Sequence, residues 1–358
     1  AMERLAIEAE LDDDGYPAQG APQGRGWRLT GTVRADAVQT CERELGPTHP
    51  ECAAMHERLS AVYVSRMRWT DAEHEAKLAI ERLEAAFGPD HLQLTAPLRS
   101  LGVALHRTGR YDEAETIYLR AREVLRKHRG PESTFEATLE DDLAKLYQSL
   151  GRLEEAERSA TAALEITRRH RGDDNVAVAE HLDALTTIVA QQGDYARARS
   201  VVEQTFEVLD RLGLPDHRLR STGLNTLGMI ARAEGDRDEA LTWFKRAAEH
   251  AASALNDPGN QLAIPLYFVA SLQTEAGQLE EARETFMRVL AVLDEMDGSN
   301  PMLDGMARFE FALLLWPTDR ALALEQAQRA YASLAPIDRE HATTVETWLD
   351  AHGGTVPG

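Results

Sequence analysis

Aromatic residues make up only 6% of this 358-residue chain, and cysteine occurs just twice. So small an aromatic content excludes a core built on rings, and alanine and leucine take their place, as helices in close approach require. Positive charge is also short: 39 Lys and Arg face 60 Asp and Glu, a formal charge of −21. That deficit argues against nucleic acid as a partner, because neutralising phosphates supplies most of the affinity there. It equally disfavours an anionic membrane surface. No run of 18 apolar residues occurs, so no membrane span is expected. The start, Ala1-Met2-Glu3-Arg4, lacks the charged-then-apolar pattern of a secretory signal, and a cytoplasmic location is expected. Cys41 and Cys52 flank the turn Gly46-Pro47-Thr48-His49-Pro50, where an antiparallel helix pair could bring them together. Two thiols in a reducing cytoplasm is the favoured reading, a disulfide the alternative.

Catalytic signatures are missing as well. His74-Glu75 is followed by Ala76-Lys77-Leu78, so the second zinc-binding histidine of a metalloprotease helix is absent. The glycine-rich stretch Gly20 to Gly26 lacks the Gly-Lys-Ser/Thr of a phosphate loop. Neither a kinase catalytic loop nor a Gly-x-Ser-x-Gly turn appears. The acid pairs Asp141-Asp142 and Asp173-Asp174 read as solvated faces and helix starts. His49, His91 and His217 stand singly in successive or distant turns, which fits solvated histidines and not a metal site. No cofactor, no metal and no enzymatic activity are expected.

What the chain does have is a period. Ala72, Ala114, Ala156, Ala198, Ala240 and Ala282 follow one another at intervals of 42 residues. Gly109, Gly151, Gly193, Gly235 and Gly277 keep step five residues earlier, and Gly46, Gly88, Gly130, Gly172 and Gly298 share a second register. Within one period, Leu98, Leu101 and Leu105 mark a helical stripe, Gly109-Arg110 turns the chain, and Ala114, Tyr118, Ala121 and Val124 mark a second helix. Tyr118, Phe244 and Phe286 share a register and are expected to fill the space toward the next hairpin. Arg152 reads as an exposed turn position. Helix pairs are expected near 51–66/70–86, 93–108/112–128, 135–150/154–170, 177–192/196–212, 219–234/238–254 and 261–276/280–295. A weaker pair covers 302–335, and a last helix near 338–351 covers the end. Residues 1–26 read as a tail and Gly/Pro-rich linker, 27–335 as the repeat array, and 336–358 as a capping helix and tail.

Leu101-Gly102, Gly109-Arg110-Tyr111, Glu113-Ala114-Glu115, Tyr118 and Ala121 together resemble the tetratricopeptide repeat. Units of 42 residues with Gly-Pro-Asp-His in the turn look like the kinesin light chain type of that family, common in bacterial signalling proteins. The resemblance implies an all-α, right-handed solenoid of antiparallel helix pairs whose first helices line a concave groove. Of the asparagines that this type tends to carry along the groove, only Asn225 has a counterpart here.

Projecting one stripe of the first helix through the period defines the candidate groove. It holds Arg99, Val103, His106 and Arg107 in one unit, then Asp141, Lys145 and Gln148, then Asp183 and Thr187. Asn225, Met229 and Arg232 follow, and then Tyr267. Arg99, Arg107, Lys145 and Arg232 balance the acids Glu57, Asp141, Asp183 and Glu275, so the stripe is neutral on an acidic chain. A neutral, mixed groove suits a peptide or protein segment with polar and apolar anchors. The expected function is therefore a protein-interaction scaffold; the alternative is the sensor or regulatory region of a larger bacterial kinase, protease or transcription regulator. The acidic N-terminal tail, with Leu5, Ile7 and Leu11 between its carboxylates, is expected to dock within the molecule, either at the end of the stack or in the groove.

Overall fold

The computed structural model describes residues 38–46, 49–256, 258–296 and 298–356. The tail and linker 1–26, and any docking of that tail, lie outside the described residues. The chain divides into two compact units, residues 1–172 and 173–358.

In the first unit a helix seen over residues 38–45 (α1) precedes three hairpins. They are α2 (Pro50–Ser65) with α3 (Trp69–Phe87), α4 (Thr95–Arg107) with α5 (Tyr111–Arg129), and α6 (Thr134–Ser149) with α7 (Leu153–Arg171). A 3-10 turn, Leu92–Leu94, leads into α4. The second unit has α8 (Val176–Gln191) with α9 (Tyr195–Arg211), α10 (Arg218–Glu234) with α11 (Arg237–Ala254), and α12 (Gly259–Glu275) with α13 (Leu279–Glu295). Then come α14 (Pro301–Leu315) with α15 (Arg320–Leu334), and α16 (Arg339–Ala351). The helices expected from the period sit within about two residues of these bounds, the usual uncertainty of a helix end. Among the described residues there is no strand.

The six register alanines are all fully buried, because each marks a crossing where a larger side chain would force its hairpin apart. Rings also meet glycine at such crossings, two of them within a hairpin. A Cβ on Gly102 would fall 2.5 Å from the Tyr118 ring, and one on Gly228 would fall 2.7 Å from that of Phe244. The rings also reach onward: Phe244 stacks on Phe268 of α12 at 4.8 Å between centroids, and Phe286 on Phe311 of α14 at 5.6 Å. Between the helices of a hairpin, Gly109 takes a φ of +78°, and Arg110 N donates to Leu105 O at 2.9 Å. That left-handed residue closes the first helix and admits the second.

Three turn features differ from the sequence reading. His49, His91 and His217, each part-exposed, are also N-caps: each Nδ1 accepts from the backbone N–H two residues on, at 3.3 to 3.4 Å. Arg152 is not a bare turn residue. Its Nε donates to Glu155 and its Nη1 to Glu115 of the preceding second helix at 2.8 Å, and it lies 4.5 Å above the Tyr147 ring. Arg110 repeats the long link, to Glu73 at 2.7 Å, so the turn arginines tie hairpin to hairpin. Cys41 and Cys52 are bonded, which joins α1 to α2.

Three junctions between hairpins carry buried charge. His56 on α2 meets Glu75 at 2.5 Å and Glu42 at 3.2 Å; Arg126 reaches Glu136 and Glu140 on α6. Arg308 on α14, almost wholly buried, donates to Asp304 at 2.8 Å, to Gln326 at 3.0 Å and to Asp294. The end of the second unit is closed by α16, whose Ala342, Val345 and Leu349 pack on Ala327, Ala330 and Leu334 of α15.

Candidate functional site

In the first unit the candidate stripe runs along α4 and α6. Most of its charge is already spent on neighbours. Arg99 Nε donates to Asp142 Oδ2 at 2.6 Å, and Lys145 pairs with Asp141 one turn away. Asp142 is buried rather than solvated, and that burial pushes its carboxyl above the usual carboxylate range even though Arg99 pulls it down. His106 Nε2 lies 3.0 Å from Ser149 Oγ. Desolvation, and then the Arg107 charge, hold its pKa below that of free imidazole, so it serves as a neutral hydrogen-bonding group. Arg107 is exposed over the Trp69 ring at 5.8 Å and makes no ion pair among the described residues. Val103 and Gln148 are half-buried beside them. The expected basic cluster thus reduces to Arg107.

In the second unit the stripe crosses α8, α10, α12 and α14. Thr187 and Arg232 are exposed, as is Met229 with 41% of its surface in solvent. Arg232 lies 5.2 Å above Phe268. Asp183 is half-buried and has no hydrogen bond to its carboxylate and no ion pair among the described residues. Burial pushes its pKa up to about 6, against the pull of Arg218, which is itself paired with Glu180 at 3.0 Å. Asn225 Oδ1 is buried without a donor. Tyr267 departs from expectation. It is buried in the core between α12 and α14, and its hydroxyl donates to Glu310 at 2.5 Å, so it lines no open face.

Asp142, Phe268 and Glu310 were missed because the stripe was projected at 42 residues. The structure pairs neighbouring first helices at 43: Arg99 with Asp142, His106 with Ser149, Tyr267 with Glu310. One added residue per period would have found all three pairs. Among the described residues no group of three or more His, Cys, Asp or Glu is placed to hold a metal ion, and no helix is long and apolar enough to cross a membrane.

Stacked helical hairpins that present one stripe of every first helix define a helical-repeat protein. More narrowly, the chain belongs to the tetratricopeptide repeat family, whose model matches residues 51–127, 134–211 and 219–295. No curated protein sequence matches the chain. Its fold is similar to that of aspartyl phosphate phosphatase F from Bacillus subtilis, at 14% identity and a TM-score of 0.60 over 93% of each chain. It is also similar to a tetratricopeptide repeat protein from Parabacteroides merdae, at 16% identity and 0.55 over 82% of this chain and 97% of that one. A third is BtubC (BKLC) from P. vanneervenii, at 20% identity and 0.52 over 66% of this chain and 94% of the other. Identities this low establish the fold alone.

Proposed function

We propose that this chain is a protein-interaction module that holds a peptide or protein segment against the first-helix stripe. One observation carries the reading. In the first unit this stripe keeps Arg107 and Lys145 exposed, and in the second Thr187, Met229 and Arg232, a mixture of donors, charge and an apolar side chain. Interaction sites combine apolar anchors with oriented polar groups in this way, and a solenoid repeats them along its length. Family membership supports the reading.

Selection of random dodecapeptides displayed on phage tests it. Wild type should enrich a peptide set, and Arg107→Glu with Met229→Glu, both on first helices, should lose it. Arg158→Glu with Met287→Glu, exposed on second helices, should keep it. Loss in the second pair and retention in the first would move the site off the stripe.

A further inference from the structure

The 43-residue pairing of neighbouring first helices satisfies Arg99 in the first unit and Tyr267 in the second. It fails at two places between them. By that register Asp183 meets Thr226, whose hydroxyl already donates to Thr222 O at 3.0 Å. Asn225 meets Phe268, which has no polar atom to offer. Two acceptors at one register of α8 and α10 therefore stand without donors among the described residues. Both cost free energy as they stand: a buried carbonyl oxygen lacks its hydrogen bond, and a partly desolvated carboxylate has no hydrogen bond and only the pull of Arg218, which is itself paired with Glu180.

We propose that this α8–α10 face binds the arginine or lysine side chain of a partner segment, with Asp183 and Asn225 Oδ1 as acceptors. The inference rests on the reading of the stripe as the partner site. A guanidinium presents five donors in a planar fork and can serve both oxygens at once. Met229, one turn beyond Asn225 and exposed, lies where the aliphatic stem of such a side chain would run. Charge favours the same partner: residues 173–358 carry 15 Lys and Arg against 30 Asp and Glu, a field that draws a cation in. A water molecule would complete Asn225 but would leave Asp183 with no ion pair of its own, since Arg218 is held by Glu180.

The full chain tests this with the phage-selected peptides. They should be rich in arginine or lysine, and one of them, labelled for fluorescence anisotropy, should bind at least tenfold more weakly when citrulline replaces its arginine. Citrulline keeps the shape and removes the charge. With Asp183→Asn the two peptides should bind alike, while Glu154→Gln, exposed in the first unit, should preserve the difference. The melting temperature of Asp183→Asn, expected at or above that of wild type at pH 7.5, separates lost recognition from lost folding. Peptides that need the stripe yet lack basic residues, or that tolerate citrulline, would overturn the proposal and leave the wider reading standing. Failure to select any peptide would overturn both.

Discussion

Asp183 sits on the open stripe of α8, at a register where the neighbouring first helix supplies no hydrogen bond to its carboxylate. Its carboxyl is pushed up from 3.8 to about 6 by burial, so the fold prefers the protonated form. Stabilisation from that proton is full below about pH 4 and is lost as pH rises through 6. Asp183→Asn removes the penalty, and the variant should be more stable than wild type at pH 7.5 by at most about 2 kcal/mol. That ceiling discounts the shift for partial exposure. The gap should close as the pH falls to 4. A gap that is constant with pH would show that the carboxyl titrates normally. Little of this was legible beforehand. The stripe could be projected from the period, but whether a charged side chain in it is paired depends on a neighbour one helix away, as Arg99 and Lys145 show.

The helices themselves were legible almost to the residue, because glycine turns and buried alanines recur at one interval. Their junctions were less so. One core position of the first helix reads His56, Leu98, Glu140, Leu182, Leu224, Leu266 and Arg308, all buried. At each polar position a partner lies 14 residues earlier on the preceding second helix: Glu42, Arg126 and Asp294. These junctions differ in kind, so a hairpin docked at the wrong place would leave charge unpaired, a form of selection among near-identical surfaces. Glu140 shows the energetic side of this. Its partners Arg122 and Arg126 keep 27% and 47% of their side-chain surface in solvent and can rehydrate if it is removed. Glu140→Leu, which restores the commonest residue of the register, should therefore change stability by less than about 1 kcal/mol. Glu140→Ala, which leaves a cavity, should cost about 2–4 kcal/mol by chemical denaturation. A loss above about 3 kcal/mol for the leucine variant would mean that the ion pair itself is strongly stabilising.

Across the molecule, the period shows that hairpins repeat and the family shows how they stack, but neither shows which side chains remain unpaired. Tyr267 illustrates the limit: the period puts it in the stripe, yet it is buried in the core, where its hydroxyl donates to Glu310 on the next first helix. The division into units at Gly172 also left no mark in the period, which runs on through it unchanged. The central claim is that partners meet the first helices and not the second. The direct measurement places a photo-cross-linking amino acid at Met229 on α10 or at Met287 on α13, both exposed, and irradiates each protein with the peptides that it selects. The account requires covalent peptide at position 229 and none at 287. Cross-links at 287 with none at 229 would contradict it.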